Sequence, residues 1–102
     1  MEIIIKSKDI TLTEPLKVFI EQKIGSLERL LKNIKPPILI EVEVGRETKH
    51  HRKGDVYYAE GQISLPGTIL RSSAKKDDLR LAIVEVKDDL QRQIKKYKNK
   101  NP

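Results

Sequence analysis

The chain has 102 residues, the size of one domain with a single hydrophobic core. Its 21 Lys and Arg residues outnumber its 15 Asp and Glu residues, and this net charge of +6 favours an anionic partner such as nucleic acid or a lipid surface. The absence of cysteine excludes disulfide frameworks, thiolate metal sites and cysteine nucleophiles. Because the sequence shows neither a membrane span nor a secretory signal, we expect a cytoplasmic protein without a membrane partner.

The first half of the chain predicts a strand, a helix and a second strand. Residues 1–7 contain a β-branched run typical of a strand. Thr13 can cap a helix over residues 14–34, because apolar residues recur there on one arc of the helical wheel until Pro36 and Pro37 end it. Residues 38–44 alternate between apolar and acidic side chains, which predicts a strand with one solvent-exposed face.

The second half predicts two strands and a long helix. Residues 55–65 and 68–74 form strands joined by a turn, and an apolar stripe from Leu79 to Tyr97 forms the helix, with a frayed basic tail over residues 95–102. The order β-α-β-β-β-α predicts an α+β fold, a two-layer sandwich of a four-stranded sheet with two helices on one face. The first two strands are expected to be parallel if they are neighbours, and the later pairs antiparallel.

The last helix carries most of the excess positive charge. With Leu79 as the origin of a helical wheel, Arg80, Lys87 and Lys98 fall at about 80–100° and Lys95 at about 160°, which makes one flank purely basic. Residues 92–100 contain five cations and no acid, more than the helix dipole accounts for. A polyanion-binding face and a merely solvated helix end are both consistent with this pattern.

Three further cations belong to the predicted binding set. Lys23 falls inside the apolar arc of the first helix, so either its stem packs while its ammonium reaches water, or it points into the groove between the two helices and joins the basic flank. Lys75 and Lys76 precede the last helix, where they would meet a phosphate together with the first amides of that helix. Asp77 and Asp78 compete for the same positive helix end.

Other chemistries receive little support from the sequence. His50 and His51 lie in a charged loop without a third ligand, so no metal or cofactor is expected. Glu41 and Glu43 share a strand face, but an exposed strand explains them, and no nucleophile–base motif or phosphate-binding glycine loop is present. Because the chain has only four aromatic residues, any RNA binding is expected to use phosphates and shape rather than base stacking.

Short pieces spread over about residues 1–98 match one known family in order and spacing, although no single piece is specific. The matching pieces are Thr13-Glu14-Pro15-Leu16, Lys23-Ile24, Leu27-Glu28, His51-Arg52-Lys53-Gly54-Asp55-Val56-Tyr57, Ala59-Glu60, Leu65-Pro66-Gly67, Asp78-Leu79, Ala82-Ile83, Leu90, Arg92-Gln93-Ile94, Lys96 and Lys98. On these residues the chain resembles the ribosome hibernation promoting factor family, which includes ribosome-associated inhibitor A and the sigma-54 modulation proteins.

The resemblance implies a fold similar to a double-stranded-RNA-binding domain with an added strand. It also implies that residues 1–98 bind the small ribosomal subunit in the channel for mRNA and tRNA, with residues 99–102 as a basic tail. Members of this family inhibit translation and preserve idle ribosomes during stress, without catalysis. Basic residues on the two helices contact 16S rRNA, and the matching positions here are Lys23, Lys75, Arg92, Lys96 and Lys98. Off the ribosome a monomer is expected.

The chain also departs from the family pattern. Ser26, Val84 and Asp89 stand where lysine, aspartate and lysine are common, whereas Arg80 and Lys87 add cations. The chain is expected to be a short form, or one trimmed from a long form, without the dimerisation domain of long members and without the acidic tail of the inhibitor-A type. The alternatives are a general double-stranded-RNA-binding module and a small α+β enzyme such as an acyl-phosphate hydrolase. The predicted RNA-binding residues are Lys23, Lys75, Lys76, Arg80, Lys87, Arg92, Lys95, Lys96 and Lys98.

Overall fold

A computed structural model describes residues 2–47 and 54–100 of the chain. The elements follow the order β1 (Ile3–Lys8), α1 (Glu14–Gly25), α2 (Glu28–Leu31), β2 (Leu39–Glu47), β3 (Val56–Leu65), β4 (Thr68–Lys76) and α3 (Leu79–Lys100). The strands form one sheet in the order β1-β2-β3-β4, in which β1 and β2 are parallel and the other two pairs are antiparallel. This arrangement confirms the predicted α+β sandwich and the predicted strand directions.

The alternating pattern of β2 determines which face of the sheet is covered. Ile40, Val42 and Val44 are buried beneath the helices, while Glu41 and Glu43 lie on the opposite, open face. The inward side chains join the apolar faces of α1, α2 and α3 in one core, and no charged or polar residue of the described ranges is buried. Cations carried on the outer sides of the helices therefore remain near solvent, where a partner can reach them.

The first helix is shorter than the sequence predicted. Thr13 caps it as expected, since its Oγ1 accepts a hydrogen bond from the Leu16 N–H at 3.4 Å. The helix ends at Gly25, and the prediction of one helix over residues 14–34 is wrong. The Ser26 hydroxyl donates to the Lys23 carbonyl at 2.6 Å, and the chain turns before α2 begins. This turn buries both Leu27 and Leu31 in the core.

The last helix is longer and better ordered than predicted. Asp78 precedes it, and its Oδ1 accepts a hydrogen bond from the Arg80 N–H at 2.9 Å. The predicted fraying from residue 95 is wrong as far as Lys100, where the helix ends. Burial of Ile94 and packing of Tyr97 against the core hold this last part in place. The proposed division between residues 1–98 and 99–102 stays a prediction.

Gly61 allows α3 to pack directly on the sheet. A Cβ at this position would lie 2.8 Å from Leu90 Cδ1 and 2.9 Å from Val86 Cγ1. The missing side chain therefore lets the buried stripe of α3 approach the middle of β3 closely. The same packing fixes how α3 is rotated and thus which of its charged side chains face α1 and which face β4.

Candidate nucleic-acid interface

The two long helices bring Lys23 and Arg80 together at the ring of Phe19. The Arg80 Cζ lies 5.0 Å from the centroid of the Phe19 ring, and the Lys23 Nζ lies 5.6 Å from it. Both distances are typical of cation–π contacts. The half-buried stem of Lys23 fits the first interpretation left open by the sequence, and the approach of its ammonium to the ring that Arg80 also contacts fits the second, so both stay predictions.

Two more cations of this flank are engaged within the protein. The Lys87 Nζ lies 2.7 Å from Asp88 Oδ1, and only 21% of the Lys87 side chain is exposed. The Lys98 Nζ donates a hydrogen bond of 3.0 Å to the Leu30 carbonyl of α2. The flank thus faces α1 and α2 as the helical wheel implied, but Lys87 is partly neutralised and Lys98 also holds α2 to α3.

The outer side of the C-terminal half of α3 presents its cations to solvent. Lys95 and Lys96 are exposed and form no ion pair within the described residues. The Arg92 guanidinium lies 3.4 Å from Asp89 Oδ1, yet 70% of the Arg92 side chain is exposed, so this pair contributes little to stability. A phosphate group can therefore compete with Asp89 at small cost.

Lys75 and Lys76 are not brought together. Adjacent residues of a strand point to opposite faces of the sheet, so the expectation that both meet one phosphate at the start of α3 is wrong. Lys76 points to the helix side and lies 3.0 Å from Glu85 Oε1. Lys75 points to the open face and lies 3.1 Å from Glu47 Oε2.

Two exposed cations on and next to α2 are absent from the predicted binding set. Arg29 and Lys32 are exposed on either side of Leu30 and Leu31. Lys98 contacts the Leu30 carbonyl. The sequence does carry a signal for these cations, because residues 29–35 contain three cations and no acid. We call the cations of the C-terminal half of α3, of α2 and of the residue that follows α2 the basic end: Arg29, Lys32, Arg92, Lys95, Lys96, Lys98 and Lys100.

The open sheet face has the opposite character along its middle strands. Glu41 and Glu43 of β2 and Glu60 of β3 share this face. Gln62 Nε2 donates to Glu41 Oε1 at 3.3 Å, and the Tyr58 hydroxyl donates to Glu43 Oε2 at 2.7 Å. Burial, the hydrogen bond to Glu43 and the negative charge of Glu43 raise the pKa of Tyr58. Because these carboxylates would repel phosphates, the middle of the open face is unsuited to a polyanion.

The described residues contain no candidate metal site and no candidate membrane span. No group of three or more His, Asp or Glu side chains suited to a metal ion occurs there. No helix of the described residues is long and apolar enough to cross a membrane. His50 and His51 lie outside the described residues, so the expectation that they hold no metal stays a prediction.

The fold and charge distribution together define a class: a small α+β domain with a basic helix layer, suited to binding a polyanion. The family model described as "Sigma 54 modulation protein / S30EA ribosomal protein" matches residues 3–101. The chain belongs to this family, and the resemblance recognised in its sequence is confirmed.

One relative supports this assignment, and two solved structures share the fold. The ribosome hibernation promotion factor of Staphylococcus aureus (strain COL) is 31% identical over 96 residues, which are 94% of this chain and 47% of that protein, so the chain spans about half the length of this relative. The Thermus thermophilus Protein Y N-terminal domain superposes with a TM-score of 0.76 at 24% identity, covering 95% of this chain and 99% of that one. A ribosomal subunit interface protein from Coxiella burnetii gives 0.74 at 19% identity, covering 97% and 99%. At these identities the two structures show the shared fold.

Proposed function

We propose that the chain is a ribosome hibernation factor that binds the small ribosomal subunit in the mRNA and tRNA channel. The observation that carries this proposal is the basic end, where cations from α2 and α3 surround a helix half that contains no acid. Family membership and the name of the Staphylococcus aureus relative support a ribosomal target. The chain then inhibits translation by occupying the channel, and it catalyses no reaction.

Contacts with phosphates of 16S rRNA are the expected mode of binding. The exposed ammonium groups of Lys95 and Lys96 lack carboxylate partners within the described residues, so phosphates can bind them without displacing an internal ion pair. Such contacts position a protein on RNA but carry no sequence information. A folded RNA with fixed phosphate positions suits a rigid domain of this kind better than a flexible single strand.

Sedimentation with purified ribosomal subunits tests the target. We expect the chain to sediment with small subunits and not with large subunits, and to be displaced by initiation components that occupy the same channel. Displacement by any long RNA duplex would instead favour a general double-stranded-RNA-binding module. Equal sedimentation with both subunits would contradict the proposal.

The stoichiometry of inhibition tests the mechanism. A protein that acts by occupancy must be present at about one copy per ribosome, so translation in a purified system should fall linearly until the chain equals the ribosomes. Complete inhibition by a small fraction of that amount would indicate repeated catalytic action and contradict the proposal. We also propose that the free chain is a monomer, which analytical ultracentrifugation checks.

A further inference from the structure

One end of the open sheet face is apolar. Leu39 of β2 and Ile69 of β4 lie on either side of Ser64 of β3. Ile4 of β1 lies beside Glu41, the next β2 residue on this face. The exposed fractions are 37% for Ile4, 38% for Leu39 and 52% for Ile69. Because neighbouring strands lie about 5 Å apart, these three side chains form one apolar patch bordered by polar groups, which is typical of a surface that contacts another protein.

The apolar patch is followed by three carboxylates, which we call the acidic stripe: Glu41, Glu43 and Glu60. Glu43 and Glu60 pair directly across β2 and β3, a position where like charges destabilise a sheet. Two of the carboxylates accept hydrogen bonds, but these come from the neutral Gln62 amide and the neutral Tyr58 hydroxyl. None of the three forms an ion pair within residues 2–47 and 54–100. No ion pair of the described chain therefore offsets the repulsion, and a cation supplied by a partner would relieve it.

Cations border the acidic stripe on both outer strands. Lys6 of β1 lies beside Glu43, and Arg71 belongs to β4, yet neither cation forms an ion pair within the described residues. Across the four strands the charge therefore runs positive, negative, negative, positive. A second copy packed face to face by two-fold symmetry would bring the two acidic stripes against each other, so the pattern disfavours self-association. The same carboxylates repel nucleic acid and anionic lipid, so the partner that fits this face is a cationic polypeptide.

We propose that the open sheet face is a docking surface for a basic segment of another protein. Lys or Arg side chains of that segment bind between Glu43 and Glu60 and beside Glu41, while its apolar side chains cover the apolar patch. This surface lies on the side of the sheet opposite the helices, so the chain can hold a polyanion and this protein at the same time. The inference goes beyond the proposed function and does not require a ribosomal target.

A synthetic peptide of about ten residues provides the probe, with two leucines at one end followed by lysines that alternate with threonines. In an extended peptide this alternation turns all the lysines to one face. In an NMR titration at low salt, the backbone amides of Glu41, Glu60 and Ile69 should shift with one shared dissociation constant, while the amides of α3 stay unchanged. A control peptide with glutamates in place of the lysines should not bind, because it would meet the acidic stripe with like charge.

A charge-matched pair of variants tests the acidic stripe. Glu41→Gln with Glu60→Gln removes two of its charges and keeps the hydrogen bond of Glu43, and it should raise the dissociation constant of the lysine peptide at least about five-fold. Glu14→Gln with Glu21→Gln removes two exposed charges from α1, on the other side of the molecule, and should leave the constant within about two-fold of the wild-type value.

The apolar patch is tested by Ile69→Thr, which keeps a β-branched side chain in β4 and should raise the constant about three-fold because an apolar contact is lost. Urea denaturation shows whether each variant is folded. The acidic-stripe variant should be no less stable than the wild-type chain, because it loses like-charge repulsion. If that variant is unfolded, Glu60→Gln alone serves, and an unchanged constant in it has the same meaning.

Several outcomes would overturn the inference: no saturable shift with the lysine peptide, equal binding of the glutamate peptide, or an unchanged constant in either the acidic-stripe variant or Ile69→Thr. Shifts of the same amides with a short RNA would identify a nucleic acid as the occupant, and shifts with the concentration of the chain alone would identify a second copy. Either result would overturn the inference as well. A chain that binds the lysine peptide as described but no small subunit would overturn the proposed function alone.

Discussion

The ring of Tyr58 covers Gly45 on the open face of the sheet. A Cβ on Gly45 would lie 2.6 Å from Tyr58 Cε1 and 2.7 Å from the Lys8 carbonyl oxygen of β1. The backbone of β1 cannot move away without breaking its pairing with β2, so the position has no room for a side chain. At Gly25, in contrast, an added Cβ would meet no heavy atom within 4 Å apart from its chain neighbours and the backbone of its own helix.

These two glycines give a matched stability prediction. Gly45→Ala should lower the free energy of unfolding by about 2 kcal/mol, because the methyl group overlaps backbone as well as the Tyr58 ring. Gly25→Ala at the end of α1 should raise it by a few tenths of a kcal/mol, up to about 0.5 kcal/mol, because alanine favours the helix. Urea denaturation measures both changes. Equal effects of the two substitutions would contradict the packing described for β1 and β2.

Tyr58 gives a prediction about alkaline pH. Its pKa is raised in the folded chain, so the folded state holds its proton at a pH where the unfolded state has lost it. The contribution of Tyr58 to stability is complete below the ordinary tyrosine pKa of about 10 and is lost as the pH rises above that value. Above pH 10 the wild-type chain should therefore lose stability more steeply than Tyr58→Phe. Parallel stability curves for the two proteins over this range would contradict the prediction.

The partners of individual cations are the part of the site that the sequence does not determine. The predicted strand ended at residue 74, so the sequence did not assign Lys75 and Lys76 to opposite faces of the sheet, and their pairing with Glu47 and Glu85 depends on packing between distant segments. The contact between Lys98 and the Leu30 carbonyl joins residues far apart in the chain and follows from the turn after Gly25. Helical periodicity does identify the flank on which Arg80, Lys87 and Lys98 lie.

At the scale of elements, the α1–α2 turn shows why periodicity alone mispredicts a helix boundary. Leu27, Leu30 and Leu31 continue the apolar spacing of α1, so the sequence favours one unbroken helix. The structure keeps Leu27 and Leu31 buried on both sides of the turn. One continuous helix would follow the same apolar spacing, so this spacing does not distinguish it from two helices joined by a turn. The boundaries of the strands were predicted to within a few residues, because the alternating apolar side chains of the strands face one core.

The four residues of α2 are too few to form a stable helix alone, and Lys98 helps to hold them. Lys98→Ala should lower the free energy of unfolding by about 1 kcal/mol and speed amide hydrogen exchange in α2, because the Leu30 carbonyl loses a charged donor. Lys95→Ala, at an exposed site three residues away, should stay within about 0.5 kcal/mol of the wild-type chain. Equal exchange rates of α2 in both variants would mean that Lys98 does not hold this element.

On the scale of the whole molecule, the two faces of the sandwich carry different charge patterns. The helix side holds the basic end, and the middle strands of the open face hold Glu41, Glu43 and Glu60. The net charge of +6 is thus distributed so that one side attracts phosphates while the centre of the other repels them. Composition predicts an anionic partner, but only the fold shows which side of the molecule has the charge to suit one.

Phosphate binding through this side predicts a strong dependence on salt. If about five phosphates are engaged, a plot of log affinity for small subunits against log salt concentration should have a slope of roughly −3.5 to −4.5, because counterions are released from the RNA. The slope should become less steep by about one when a single contacting lysine is replaced by glutamine. A flat response to salt would contradict an electrostatic interface.

A pair of charge-reversed variants tests the central claim most directly. Lys95→Glu with Lys96→Glu alters the basic end, and Lys6→Glu with Lys8→Glu alters exposed lysines of β1 on the open face, so both double variants change the net charge equally. Urea denaturation first shows that both are folded. In co-sedimentation with purified small ribosomal subunits, we predict that the α3 variant loses binding and the β1 variant keeps it. Retained binding by the α3 variant, together with loss of binding by the β1 variant, would show that the sheet face and not the helix side contacts the ribosome.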